Sequence, residues 1–167
     1  MTIAEFDHLN VEKKKELLQQ CCGSSAWINK MLTVFPVEDL VDLLECAEEK
    51  WYECNAEDWM EAFDQHPKIG DISSLKQKYA GTAAWASVEQ SGVNSAPDQI
   101  IEELARLNND YEKKFGFIFI VYATGKSANE MLQLLKARIN NNREEEIKIA
   151  SEEQNKITKT RLEKLLA

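Results

Sequence analysis

Only one stretch of this chain, Phe117-Ile118-Phe119-Ile120-Val121-Tyr122, has the composition of a β-strand, and a strand needs a partner. No second run of that kind is present, so the chain reads as all-α, with 117–122 as a buried extended or irregular segment. Elsewhere, capping residues alternate with apolar positions at helical spacing. Asn10 opens a helix carrying Val11, Leu17, Leu18, Cys21 and Cys22, stopped by Gly23. Ser24 or Ser25 opens another with Trp27, Ile28, Met31 and Leu32 inward. Pro36 suits a helix start, with Val37, Leu40, Val41, Leu44, Ala47 and Trp51 as its stripe.

Asn55 and Asp58 open a short helix bearing Trp59, Met60 and Phe63, which must end near His66 because Pro67 biases its predecessor away from helical geometry. Short helices are expected from Ser73 or Ser74 to Tyr79 and from Thr82 to Ser91. Ser95-Ala96-Pro97-Asp98 starts a long one with Ile100, Leu104, Leu107 and Tyr111 inward. Ser127 with Glu130 is a capping box for a helix to about Ile139, and Asn140-Asn141-Asn142 breaks the chain before a last helix to Leu166. The expectation is a single compact domain, 1–167, of eight or nine helices, since 167 residues suit one core better than two.

A net charge of −9 with scattered Lys and Arg offers no basic stripe for nucleic acid. It would also repel a small anion at long range, so a site for one must be locally positive or built from backbone N–H groups. Four cysteines without a C-x-x-C and two histidines, His8 and His66, do not make a structural zinc site. Cys21 and Cys22 read as packing residues in a reducing compartment. The chain shows no signal-peptide pattern, no apolar run of membrane-spanning length and no peroxisomal ending, so a cytoplasmic location is expected. Gly125-Lys126-Ser127 imitates the end of a phosphate-binding loop, but Ile120 stands where that loop needs glycine.

Three side chains could do chemistry. His66, between a helix exit and a proline, has the restricted backbone that a positioned acid or base needs, or it is a structural histidine bonded to a carbonyl. Glu89 shares a helical face with Trp85, where desolvation would raise its pKa, or it is a solvated carboxylate. Arg161 falls on the last helix's inward stripe with Ile147, Ala150, Gln154, Ile157 or Thr158, and Leu165. A guanidinium delivered there needs an anion, either a protein carboxylate or a substrate carboxylate.

Four segments, in order and spacing, resemble the 2-oxo-4-hydroxy-4-carboxy-5-ureidoimidazoline (OHCU) decarboxylase family: Cys21-Cys22-Gly23-Ser24, His66-Pro67-Lys68-Ile69-Gly70-Asp71, Glu89-Gln90-Ser91-Gly92, and Leu107-Asn108 through Tyr111 to Phe115-Gly116-Phe117. The likeness continues through Lys156-Ile157 and Arg161-Leu162. It implies an all-helical homodimer that converts an anionic ureidoimidazoline to (S)-allantoin and carbon dioxide without metal or organic cofactor, in urate breakdown. Carried across, the catalytic histidine is His66, its acidic partner Glu89 and the C-terminal arginine Arg161. The substrate-binding stretches fall on Pro67, on Ala86, Ser87, Val88, Glu89 and Gln90, and on Phe119, Ile120, Val121, Tyr122 and Ala123. Ala86 departs from the pattern, since a serine is common there in relatives. The rival reading is a helical interaction module that keeps the fold without the activity.

Overall fold

The computed structural model describes residues 1–67, 75–76 and 97–166. The expected helices 73–79 and 82–91 lie outside the described residues, apart from Leu75 and Lys76, which are helical. Eight helices occur among the described residues and no strand. They are α1 Ile3–Asp7, α2 Val11–Cys21, α3 Ser25–Met31, α4 Leu40–Tyr52, α5 Ala56–Asp64, α6 Pro97–Phe115, α7 Ala128–Arg138 and α8 Arg143–Leu165. The chain divides into two compact units, one from Met1–His66 with Ile147–Ala167 and the other from Pro67–Glu146.

The first unit is built around α3, which packs on α2, α4 and α5. Three of its caps are those the sequence predicts: Asn10 accepts from Lys13 N–H, Ser24 from Trp27 N–H, and Asn55 with Asp58 completes a reciprocal capping box. Phe6, Leu18, Trp27, Met31, Leu43, Trp51 and Phe63 are fully or almost fully buried. Indole N–H groups cross-link this core, because a buried donor must find an acceptor. Trp27 donates to the Ala47 carbonyl at 3.0 Å, Trp51 to Ser151 at 2.9 Å and Trp59 to Trp51 at 3.0 Å.

Five details differ from expectation. Helix α1 has no counterpart among the expected helices; Thr2 accepts from the Glu5 N–H while the Glu5 carboxylate accepts from the Thr2 N–H, a capping box that starts it. Pro36 opens no helix; α4 starts at Leu40, where Asp39 accepts from Asp42 N–H at 2.9 Å, an acceptor that the residue before Pro36 could not supply. The buried row of α4 is Leu43, Ala47 and Trp51, a strict four-residue spacing, which leaves Val41 63% exposed. Val11 is likewise exposed, because the first turn of α2 lies beyond the packed part of its stripe. At the end of α8 the buried apolar residues are Leu162 and, just past the helix, Leu166, with Leu165 half-buried.

In the second unit α6 packs on α7. Ile100, Ile101, Leu104, Tyr111 and Phe115 are buried on α6, and Leu107 is half-buried. The segment after α6 is irregular, as expected, with Phe117 and Ile120 buried. Side chains answer its backbone. Arg138 Nη1 donates to the Ile120 carbonyl at 2.6 Å, and Lys126 Nζ to Tyr122 at 2.6 Å. The rest of the Arg138 fork grips Glu146, with Nε at 3.0 and 3.1 Å from its two oxygens and Nη2 at 2.8 Å, while its guanidinium carbon lies 4.5 Å from the Phe119 ring centre. Tyr111 also donates to Glu146. Burial works to raise the Glu146 pKa, but hydrogen bonds from Arg138 and Tyr111 outweigh it and hold the carboxyl below its usual range.

Arg138→Met leaves Glu146 buried without its counter-charge and should cost about 3–5 kcal/mol in urea unfolding. Arg138→Met with Glu146→Leu should recover much of that loss. The depressed Glu146 pKa stabilises the fold above the unfolded carboxylate pKa and is lost on acidification, so wild type should lose more stability at low pH than the double variant. An Arg138→Met chain as stable as wild type would discount this pair.

Candidate functional site

His66 stands two residues past α5, with Gln65 as the helix cap and the His66 N–H bonded to the Phe63 carbonyl at 3.3 Å. Its ring is half-buried, and Nε2 lies 2.5 Å from Gln154 Oε1 on α8. Gln154 Nε2 donates in turn to Thr158 Oγ1 at 3.1 Å. Arg161 lies seven residues beyond Gln154, which puts both on one face of α8. Its Nη1 reaches the Gln20 and Cys21 carbonyls at 3.4 Å each. These belong to the last turn of α2, where carbonyls lack helical partners and the dipole favours a cation. Among the described residues no carboxylate forms an ion pair with Arg161.

His66 and Arg161 line one hollow of about 300 Å³, with Gln19, Gln20, Gly23, Ala62 and Gln65 as its walls. That is room for a small molecule. Gly23 sets the wall spacing: a Cβ there would come 2.3 Å from Gln65 Cγ and 2.6 Å from its Cβ. The glycine therefore serves close approach of α2 and α5. It does not take the left-handed helix-stop conformation, which only Gly116 and Gly125 adopt among the described glycines.

Electrostatics suit an anion. Burial lowers the His66 pKa below the ordinary 6.5, the Arg161 charge adds to that, and the hydrogen bond to Gln154 works against both. The imidazole is thus neutral at pH 7, and the guanidinium beside it is the fixed charge. The neighbouring thiols are poor nucleophiles: burial pushes Cys21 up to about 11 and Cys22 up to about 12. All four cysteines are free.

Of the residues singled out in the sequence, His66 and Arg161 are brought together. Pro67 follows His66 and is exposed. Glu89 and the stretch Ala86, Ser87, Val88 and Gln90 lie outside the described residues. Phe119, Ile120, Val121, Tyr122 and Ala123 belong to the second unit, where Phe119 stacks on Arg138 and Ile120 is buried. Sequence reading placed Gln154 on the inward stripe of the last helix without seeing its tie to the imidazole. A glutamine at an inward position of that helix was the available signal, since a buried amide must have partners. Among the described residues no three His, Cys, Asp or Glu side chains gather as a metal site, and no helix is long and apolar enough to cross a membrane.

A model of the OHCU decarboxylase family matches residues 7–163. The chain is 37% identical, over 88% of its length, to the uric acid degradation bifunctional protein TTL of Arabidopsis thaliana, and spans 45% of that protein. It is 24% identical over 99% of its length to a 2-oxo-4-hydroxy-4-carboxy-5-ureidoimidazoline decarboxylase of Halalkalicoccus jeotgali, and spans 92% of that chain. Among solved structures it is similar to an OHCU decarboxylase crystallised in the presence of (S)-allantoin, with a TM-score of 0.71, 38% identity, and coverage of 90% of this chain and 96% of the other. The all-helical architecture agrees with that likeness.

Gly23→Ala should destabilise the chain by about 1–3 kcal/mol, as overpacking does, and should displace the His66 imidazole signals in NMR spectra. Unchanged spectra would mean that Gln65 yields without moving its neighbour. In an NMR titration the His66 midpoint should lie below 6.5, and Arg161→Met should raise it. The fold prefers the neutral ring, so this group's contribution to stability is present above the unfolded pKa and is lost as pH falls through the folded one.

Proposed function

Because the chain belongs to the OHCU decarboxylase family, we propose that it decarboxylates 2-oxo-4-hydroxy-4-carboxy-5-ureidoimidazoline to (S)-allantoin and carbon dioxide, in urate breakdown. One observation carries the reading at the level of chemistry: an imidazole and a guanidinium, His66 and Arg161, line a single hollow of substrate size. Support also comes from the structural relative crystallised in the presence of (S)-allantoin. The family match runs unbroken over 7–163, which supports treating 1–167 as one domain.

The substrate bears a carboxylate and a hydroxyl on one ring carbon, beside the C=N carbon that carries the ureido group. As carbon dioxide leaves, the electron pair of the broken bond moves into that imine, so the substrate is its own electron sink and no cofactor is required. The imine nitrogen takes a proton. Loss of the hydroxyl proton then forms the ring carbonyl and returns the electrons to the ureido-bearing carbon, which is protonated on one face. The balance is one proton consumed for each carboxylate lost.

In this reading Arg161 grips the carboxylate and orients the ring. Backbone N–H groups of Phe119 to Ala123 hold the remaining polar edge, Pro67 and Ala86 to Gln90 complete the substrate contacts, and Glu89 takes the hydroxyl proton. His66 is the acid on the imine side. Burial chiefly, and the Arg161 charge to a lesser degree, disfavour the imidazolium in the free protein; a carboxylate docked on Arg161 offsets the second of these, so the His66 proton arrives with the substrate. Delivery from one side accounts for a single enantiomer, which decay in water cannot impose. The reading extends to a cytoplasmic homodimer, to which sedimentation of the pure chain should assign twice the chain mass.

Urate oxidised in the presence of the protein should give allantoin with immediate rotation of one sign. Slow racemic decay, unchanged by the protein, would overturn the decarboxylase reading and favour a binding module. His66→Asn and Glu89→Gln should each lower the rate by about a hundredfold or more, as expected for a lost acid or base. Full activity in either variant would remove that residue from the mechanism.

A further inference from the structure

A neutral imidazole carries its proton on one nitrogen, and the partner of the remote nitrogen decides which. His66 Nε2 faces Gln154 Oε1, and the other end of that amide faces Thr158 Oγ1. An amide that gives its N–H to Thr158 has only its carbonyl to offer the ring, so Nε2 must donate. Gln154 is 1% exposed and Thr158 3%, which shields both bonds from exchange with solvent. Cys22 adjoins Thr158, with the hydroxyl acting to lower the thiol's pKa against the effect of burial. The arrangement is a short polar chain, from the end of α2 through α8 to the imidazole.

We propose that Gln154 is a positioning residue: braced by Thr158, it holds His66 as the Nε2–H tautomer, so that the imidazole meets the substrate through Nδ1. The same contact fixes the plane of the ring, on a helix that also carries Arg161. What Nδ1 does rests on the decarboxylase reading; the tautomer does not. In that reaction Nδ1 is the atom that takes up the proton on substrate binding and gives it to the imine side, while the Nε2 proton stays on Gln154 throughout.

Long-range proton–nitrogen NMR of the full chain tests this directly, because there are only two histidines to resolve. Above its titration midpoint wild-type His66 should show a protonated Nε2 and a bare Nδ1. In Gln154→Leu the two tautomers should mix, the midpoint should fall further, and kcat should drop by roughly 10–100-fold, as for lost outer partners of other functional histidines, with KM changed little. Gln154→Glu keeps an acceptor; it should retain Nε2–H, raise the midpoint and recover kcat relative to the leucine variant.

A wild-type His66 protonated on Nδ1 would overturn the proposal, since the amide would then be reversed. So would a leucine variant that keeps both the tautomer and the rate. If that variant does not fold, the wild-type and glutamate spectra decide. A protein that shows the expected tautomer but makes no (S)-allantoin would sink the decarboxylase reading and leave the assignment of Gln154 in place.

Discussion

The inward face of α8 is polar, and the candidate site depends on how that face is satisfied. Ser151, Gln154, Asn155 and Thr158 are all buried there, so apolar burial alone cannot hold the helix. Each is met by a specific partner. The Ser151 hydroxyl donates to the Lys148 carbonyl at 2.7 Å while its backbone carbonyl takes the Trp51 indole, Asn155 donates to Glu48 at 2.9 Å, and Gln154 spans His66 and Thr158. A partly satisfied polar face would cost more than an apolar one, and a fully satisfied one tolerates little rotation. That fixes the angle at which α8 presents Gln154 and Arg161.

The site follows from that orientation. The exit of α5 supplies an imidazole at a defined place, Gly23 lets the end of α2 come close, and the last carbonyls of α2 steady the guanidinium without neutralising it. The result is a hollow with one fixed positive charge and one titratable ring that is neutral at rest. In a protein of net charge −9 an anion finds local attraction only where such a cation is built in.

The second unit solves a different problem with the same means. A hexapeptide of strand-like composition has no sheet to join, and its backbone would be costly to bury unpaired. Arg138 and Lys126 take two of its carbonyls, and Phe119 stacks on the Arg138 guanidinium. Arg138 can be buried because Glu146 answers its charge. Neither member of that pair stood out in the sequence, since helix-end charges are normally solvated and only packing reveals the exception.

Local chemistry determined what could be read from the sequence alone. Caps such as Asn10, Ser24, Asn55 and Ser127 act on N–H groups two or three residues away, so helix starts were legible, and the lone strand-like run predicted an all-helical chain. Pro36 misled because a suitable first-turn residue is not a cap, and in the α4 stripe Ala47 and Trp51 are buried as expected while Leu43 takes the place given to Leu44, because several adjacent apolar residues there compete for the core. His66 and Arg161 were identifiable as candidates from residue type and family resemblance. That they share one hollow, that Gln154 holds the ring, and that Gly23 is needed for its lack of a Cβ were decided only by tertiary structure. These facts join residues from 42 positions apart, for Gly23 and Gln65, to 95, for His66 and Arg161, and no local propensity acts over such separations.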